Sequence, residues 1–395
     1  MKKQLERNIQ LYGFLKIFTK RVFLPLTTIY LADVAGLTLK EIGLLASLSA
    51  VVSLASDVPT GFIADKFGRR LALIFASSLA VCGALTYAFF PSMQGAIVAV
   101  ILESLAYSFL SGAGEALMYD TLHNLDRVDD YPKIAGRAQS LGLIGNTALV
   151  LLVPLTYTVD PSYPFIIGAL CYAALFFIVL GMHEPERIVS QTKHNFAVDL
   201  YKSFRVFVNR FTVAVFLCIG LLSSLSATSD FLNLSLKDMG LDPQFMGIAY
   251  VGGSILGIIG GYFIHHLRNR SLRFFILLDL LTSASLFAII GLTKNLWLAI
   301  ALFWINMGIF RLRNIMYQYH LLRVFKDSAY KATLISVMSV FGRANEVWIP
   351  LALMSVIGAM GYYSGFVALS IVLLAVLTPL SFYSTYRLNL FVSKS

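Results

Sequence analysis

The stretch that decides the fold runs from Asp57 to Arg70 and reads Asp-Val-Pro-Thr-Gly-Phe-Ile-Ala-Asp-Lys-Phe-Gly-Arg-Arg. Long apolar segments lie on both sides of it, so its charged residues fall in a very short connection between two hydrophobic spans. Gly68 stands at the turn, where a glycine adopts positive φ at low cost. Clustered Lys and Arg beside apolar spans indicate a loop on the cytoplasmic side of a membrane.

The composition excludes most soluble classes of protein. Of the 395 residues, 58% are hydrophobic and 13% are charged, whereas a soluble domain carries roughly a quarter charged residues. The net charge of +10 comes from short clusters between apolar spans, which is a membrane topology signal and not a nucleic-acid-binding face. Cys82, Cys171 and Cys218 lie inside apolar spans, so we expect free thiols.

About twelve segments are long enough to cross a bilayer as helices of about 20 residues. They run near 9–33, 39–64, 71–90, 94–119, 137–158, 163–182, 211–235, 242–264, 273–293, 297–322, 333–358 and 363–386. The first follows Met1–Arg7 without a small-residue cleavage site, so we expect a retained helix and not a signal peptide. Helices are required because lipid cannot satisfy free backbone polar groups.

The span pattern predicts two lobes, residues 1–182 and 211–395, joined by a cytoplasmic loop at 183–210 that contains an amphipathic helix. Most Lys and Arg fall in loops on one side if both termini and this loop are cytoplasmic, which fixes the predicted orientation. Glycines repeat between the halves: Gly36 and Gly43 match Gly240 and Gly247 at one common offset. The repeat favours a duplicated transporter over an arbitrary bundle.

The Asp57–Arg70 stretch resembles the signature loop of the major facilitator superfamily, a glycine followed by an acid and a Gly-Arg-Arg cluster. The resemblance implies twelve transmembrane helices in two pseudo-symmetric lobes, and alternating access. It also implies a conformational gate formed by Asp57, Gly61, Asp65, Gly68, Arg69, Arg70 and Asp120. Gly61 would permit close helix approach, and Arg69 would reach Asp120. The alternative is that Arg69 and Arg70 only anchor the loop at the membrane surface.

Charged residues inside the spans point to the substrate site, because each costs roughly 2.5–3.5 kcal/mol to place at a helix centre. The predicted substrate-binding residues are Lys20, Arg21, Glu103, Tyr107, Asn146, Arg311, Arg343 and Glu346. An excess of cations favours an anionic or strongly polar substrate. The alternative is internal neutralisation, with Glu103 pairing Arg21 and Glu346 pairing Arg343 or Arg311. Lys16 either faces the same cavity or extends to the membrane surface.

Proton coupling needs a buried carboxylate whose charge state changes, and the candidates are Glu103, Glu115 and Asp230. The leading prediction is a secondary active transporter, without cofactor or metal, that exports an amphipathic or anionic molecule against protons. Alternatives are an uptake symporter, a lipid or lysolipid transporter, or an exporter of lipophilic cations. No enzyme motif and no P-loop occurs. We expect a monomer in a bacterial cytoplasmic membrane, with no nucleic-acid partner.

Overall fold

The structure, a computed structural model, describes residues 2–186, 229–263, 270–293, 295–324 and 331–392. The side chains of 229–231, 261–263, 310–315, 318–324, 331–341 and 383–392 lie outside this description. Every regular element within these ranges is a helix and none is a strand. The predicted all-α class is therefore confirmed.

The described residues contain fourteen α-helices. The first eight α-helices are α1 (Lys2–Phe18), α2 (Leu24–Asp33), α3 (Leu39–Phe67), α4 (Arg69–Phe89), α5 (Met93–Leu110), α6 (Ala113–Asn124), α7 (Tyr131–Leu152) and α8 (Tyr163–Leu180). The others are α9 (Ser229–Asp238), α10 (Met246–Phe263), α11 (Leu272–Leu292), α12 (Leu296–Val324), α13 (Lys331–Met360) and α14 (Tyr362–Val392). Single 3₁₀ turns are at Val128–Asp130, Val153–Thr158 and Pro243–Phe245.

Eight helical segments of the described chain are long and apolar enough to cross a membrane. They are Leu39–Phe67, Arg69–Phe89, Met93–Asn124, Val128–Thr158, Tyr163–Leu180, Pro243–Gly260, Leu272–Leu292 and Tyr362–Phe382. The fourth predicted span is α5 and α6 together, and the first is α1 and α2 together. Most of the seventh predicted span, and the loop from residue 187, lie outside the described residues.

The chain forms two compact units. The first is Met1–Gln191 with Asp242–Gly247, and the second is Thr192–Leu241 with Ile248–Ser395. In the first unit α4 packs against α5 and α8, and α1 packs against α7. In the second unit α11 packs against α12 and α14. The lobe boundaries at 182 and 211 stay predictions.

The repeated glycines adopt the same local conformation. Gly36 has φ +67° and Gly240 has φ +97°, a region that other residues rarely adopt. Two residues after each glycine a side chain caps the next helical segment: Thr38 accepts from the backbone N–H of Glu41, and Asp242 accepts from that of Gln244. The sequence match between the halves therefore corresponds to a shared backbone turn.

Candidate functional site

The first predicted span is interrupted in its middle. Residues 19–23 separate α1 from α2. Pro25 explains the interruption, because it has no N–H to donate to the carbonyl of Arg21 and its ring clashes with that carbonyl. The backbone N–H of Leu26 and the hydroxyl of Thr27 instead donate to the carbonyl of Phe23, at 2.9 and 3.3 Å. Arg21 is thus placed on non-helical backbone between two half-helices.

Arg21 forms a buried ion pair with Glu103. Its Nε lies 3.3 Å from Glu103 Oε2, and the two side chains are 26% and 2% exposed. The guanidinium carbon lies 4.6 Å from the centre of the Tyr107 ring, one helical turn after Glu103 on α5. The hydroxyls of Tyr107 and Tyr172 lie 3.3 Å apart. Of the two alternatives left open for Glu103, the structure contains the pairing with Arg21.

A cluster of aromatic rings packs beside this pair. Phe23 contacts Phe165 and Tyr172, with ring centres 4.9 and 6.4 Å apart. Phe165 also contacts Tyr30 and Tyr87, at 4.4 and 5.5 Å, and the Tyr30 hydroxyl donates to the Tyr87 carbonyl at 2.9 Å. All five rings are buried. Because such an interior is close-packed, the cluster forms a rigid wall of the site.

Two polar atoms near the interruption have no hydrogen-bond partner within the described residues, namely Glu103 Oε1 and Asn146 Nδ2. Asn146 lies on α7, one turn after Gly142. A Cβ added at Gly142 would lie 2.8 Å from the carbonyl oxygen of Lys16, so the α7 backbone closely approaches the end of α1. An unpaired buried polar group costs about 1–3 kcal/mol. Both atoms are therefore candidates for bonds to a ligand.

A second ion pair joins Lys16 to Glu115, whose side chains are 14% and 48% exposed. Lys16 Nζ also lies 5.3 Å from the centre of the Tyr12 ring. Lys16 therefore has a partner within the first unit and does not extend to the membrane surface alone. Lys20 lies in the interrupted segment, and its predicted contact with substrate stays a prediction.

The Asp57–Arg70 stretch contains the predicted contact between Arg69 and Asp120. Arg69 Nε lies 3.0 Å from Asp120 Oδ2, and a longer contact of 3.8 Å joins Arg69 to Asp65. Asp120 is buried on α6. Gly68 has φ +127°, which confirms the glycine turn between α3 and α4. The bond ties this turn to the end of the fourth span.

Asp57 and Gly61 are two further members of the predicted gate. Asp57 lies within α3, and its Oδ1 accepts a hydrogen bond from the Ser108 hydroxyl on α5 at 3.0 Å. A Cβ added at Gly61 would meet no described atom within 4 Å. The close helix approach predicted at Gly61 is therefore absent from the described part of the structure.

Glu184 is a functional candidate that the sequence analysis missed. Its two carboxylate oxygens accept from the backbone N–H groups of Arg69 and Arg70, at 2.8 and 2.7 Å. A carboxylate at this place satisfies free N–H groups of α4 and complements its dipole. The Arg70 guanidinium donates to the carbonyls of Val179 and Leu180. The signal in the sequence that could have identified Glu184 is an acidic residue just after the sixth predicted span.

The start of the predicted central loop is held against α1. Asn8 Oδ1 accepts from the His183 N–H, and Asn8 Nδ2 donates to the His183 carbonyl, both at 2.8 Å. Asn8 Nδ2 also donates to the Thr121 hydroxyl at 3.0 Å. Residues 183–186 are therefore fixed to the first unit. The predicted amphipathic helix lies outside the described residues.

A third ion-pair cluster is at the far end of α1. Arg127 bonds to Asp130 at 2.8 Å and to Glu6 at 2.9 Å. These hydrogen bonds raise the pKa of Arg127 above its ordinary value, so it stays charged at any physiological pH. Glu6 and Arg127 are half-exposed, and such pairs contribute little to stability.

In the second unit a buried acid lies between α11 and α12. Asp279 is 1% exposed, and its Oδ2 accepts from the Tyr317 hydroxyl at 3.2 Å. One turn further along α11, the Ser283 hydroxyl accepts from Asn306 at 3.1 Å. Asp279 is not among the site residues predicted from the sequence, because its partner on α12 is distant in the chain and no local pattern indicates it.

The other predicted residues of this half are less fully described. Arg343 and Glu346 lie three residues apart on α13, and both are partly buried. Their predicted pairing stays a prediction. The side chains of Arg311 and Asp230 lie outside the described residues. Within the described chain no group of three His, Cys, Asp or Glu residues is placed to hold a metal ion.

Comparison with known proteins identifies the family. A family model described as Major Facilitator Superfamily matches residues 11–350. The chain belongs to this superfamily of membrane transporters, as the Asp57–Arg70 stretch predicted.

The relatives are distant transporters. The chain is 23% identical over 249 residues to the uncharacterized MFS-type transporter YxaM of Bacillus subtilis, covering 60% of each protein. It is 26% identical over 188 residues to the raffinose permease of Escherichia coli, covering 46% of this chain and 43% of that protein. It is 24% identical over 172 residues to the lactose permease of Klebsiella oxytoca, covering 42% and 40%. The matches thus span about two to three fifths of these relatives.

A solved structure shares the whole fold. The nucleoside transporter NupG superposes with a TM-score of 0.80 at 17% identity, over 95% of this chain and 98% of that chain. Family and fold together make transport across a membrane, as a multi-pass protein, the supported class of function. Transporters of this family bind small-molecule substrates within the membrane.

Proposed function

We propose that the protein is a proton-coupled secondary active transporter that takes up a neutral, polyhydroxylated small molecule, such as a saccharide or a nucleoside, by alternating access. Residues 1–182 and 211–395 act as the two lobes. The protein works as a monomer in a bacterial cytoplasmic membrane, with both termini inside.

The observation that carries this proposal is the Arg21–Glu103 pair with Tyr107 against it. The opposite charges compensate each other, so the described site does not select a charged ligand. A guanidinium and a carboxylate offer donors and acceptors that suit neighbouring hydroxyl groups. The unpartnered Oε1 of Glu103 and Nδ2 of Asn146 add one acceptor and one donor. A flat tyrosine ring provides an apolar surface for a sugar ring or a base.

The relatives support the same substrate class. Two are named as permeases for raffinose and lactose, and the solved structure is named as a nucleoside transporter. These substrates are neutral and rich in hydroxyl groups. The proposed uptake of such a molecule replaces the export of an amphipathic or anionic molecule that was the leading prediction from the sequence.

Proton coupling is assigned to Glu103. Protonation removes its charge and weakens the ion pair, which frees the Arg21 guanidinium for the substrate. Binding of a proton and binding of substrate are then linked through one contact. Glu115 and Asp230 are the further candidates for carrying the proton.

The gate is assigned to the Asp57–Arg70 stretch. The bond from Arg69 to Asp120 and the cap that Glu184 provides hold the stretch against α6 and α8. These contacts lie within the first unit, so they hold the stretch in one position for its proposed role at the cytoplasmic side. Asp65 and Arg70 belong to the same group.

Transport by the full-length protein in proteoliposomes tests the proposal, with labelled lactose, raffinose and uridine as separate probes. Under an inward proton gradient, at least one probe is expected to accumulate above equilibrium. Glu103→Gln is expected to abolish accumulation while it retains exchange of labelled for unlabelled probe. Gradient-driven accumulation by Glu103→Gln, or no movement of any probe, contradicts the proposal.

Export of an anionic or amphipathic compound is the second candidate, favoured by Arg311 and Arg343 on α12 and α13. A ligand that binds only the folded state raises the melting temperature. Stabilisation by anionic amphiphiles that disappears in Arg311→Ala, without stabilisation by the neutral probes, favours this candidate.

A further inference from the structure

A second cluster repeats the composition of the Arg21 site. Lys16 binds Glu115 and lies against the ring of Tyr12, as Arg21 binds Glu103 and lies against Tyr107. Lys16 is near the end of α1, and Glu115 is in the first turn of α6. The two clusters therefore lie one after the other along the same two predicted spans.

Two more tyrosines extend this cluster. Tyr119 follows Glu115 by one turn on α6, and its ring meets that of Tyr131 edge to face at 5.7 Å. Tyr12 is buried, whereas Tyr119 and the side chain of Glu115 are 42% and 48% exposed. The ion pair thus lies among tyrosine rings in a partly open position, while the Glu103 side chain is only 2% exposed.

The cluster has spare hydrogen-bonding capacity. Glu115 accepts from Lys16 through Oε1, and within the described residues no hydrogen bond involves its Oε2. A lysine ammonium carries three donors, so Lys16 can serve a ligand as well as Glu115. The paired charges cancel, which again suits a neutral ligand with several hydroxyl groups.

We propose that Lys16, Glu115, Tyr12, Tyr119 and Tyr131 form a second subsite for a neutral polyhydroxylated molecule. This inference rests on the proposed function, because it assigns the same substrate class to both sites. Glu103 and Glu115 are twelve positions apart and lie on different helices, α5 and α6, so we assign them to separate subsites. In the proposed orientation, substrate occupies the second subsite between the buried Arg21–Glu103 pair and the water on the cytoplasmic side.

Protection of a thiol against alkylation tests the subsite directly. The full-length protein carries Ser111→Cys as reporter, with Cys82, Cys171 and Cys218 replaced by alanine. Ser111 is exposed and lies four residues before Glu115. Lactose, raffinose and uridine are the probes, and N-ethylmaleimide is the reagent. At least one probe is expected to slow alkylation about threefold or more, an effect that persists with Glu103→Gln and disappears with Glu115→Gln.

Glu6→Gln is the matched control, because it removes another half-exposed ion pair from α1 and is expected to leave protection intact. Protection that disappears with Glu103→Gln overturns the second subsite, as does protection that survives Glu115→Gln. Transport of a probe without any protection also overturns the subsite and leaves the proposed function standing. If none of the three probes is transported, raises the melting temperature or slows alkylation, both the second subsite and the proposed function are overturned.

Discussion

The α4–α5 pair of the first unit and the α11–α12 pair of the second each bury one carboxylate between neighbouring apolar helices. Glu103 and Asp279 are both 1% exposed. Glu103 is on the second helix of its pair and meets the cation Arg21, whereas Asp279 is on the first helix of its pair and accepts from the Tyr317 hydroxyl. The repeated architecture thus repeats helix packing without repeating the polar chemistry. Of these two carboxylates, Glu103 has a buried oxygen, Oε1, that lacks a hydrogen-bond partner among the described residues.

The largest effect is expected for Arg21→Ala. It leaves Glu103 buried without its cation, and breaking a buried ion pair costs about 3–5 kcal/mol. The melting temperature in detergent should fall steeply and transport should be lost. The double variant Arg21→Ala with Glu103→Gln should regain most of the stability without transport. If Arg21→Ala alone is as stable as the wild-type protein, the Arg21–Glu103 pair does not stabilise the fold and the prediction is wrong.

The two carboxylates should differ in their link to pH. If Glu103 carries the coupled proton, uptake rises as the outside pH falls and Glu103→Gln loses this dependence. Asp279→Asn should keep it, since an asparagine oxygen can still accept from Tyr317. The measurement is uptake against outside pH in proteoliposomes for both variants. If uptake by Asp279→Asn does not change with the outside pH, Glu103 and Asp279 do not differ in their link to pH.

Removal of single hydroxyls sharpens the comparison further. Tyr317→Phe takes one donor from buried Asp279 and should cost about 1–3 kcal/mol. Tyr107→Phe keeps the ring against Arg21 and loses the 3.3 Å contact of its hydroxyl with Tyr172, so it should cost about 1 kcal/mol or less. Thermal or denaturant unfolding in detergent compares them. If both variants lose the same free energy of unfolding, the Tyr107 hydroxyl stabilises the protein more than its 3.3 Å contact implies.

A last comparison concerns glycines, one beside Glu103 and one in the second unit. A Cβ at Gly83 would lie 2.9 Å from Glu103 Cγ and 3.3 Å from the Ala99 carbonyl oxygen. Gly83→Ala should therefore cost about 1–3 kcal/mol by overpacking and shift Glu103. Gly358→Ala in the second unit is the control, because no described atom lies within 4 Å of its added Cβ. The midpoint of unfolding and the rate of probe exchange are measured for both variants. If Gly83→Ala changes neither quantity, Glu103 is free to move.

Much of the candidate site was predictable from local pattern. The contact from Arg69 to Asp120 followed from the resemblance of the Asp57–Arg70 stretch to the signature loop of the family. The pair of Arg21 with Glu103 was one of two alternatives, since a buried charge needs a partner. The cap from Glu184 was not foreseen, because the N–H groups it satisfies lie more than a hundred positions away in the chain.

The sequence by itself determined the membrane class, the helical spans, the glycine turn and the family. These follow from properties that are local along the chain: apolar length, clustered cations, and the φ that only glycine adopts easily. The tertiary structure decided which charges pair, where Pro25 places Arg21, and which oxygen of Glu103 stays unpaired. These features depend on contacts between helices that are distant in sequence. A change in one packed side chain alters such contacts and leaves the hydrophobic and charge pattern of the sequence the same.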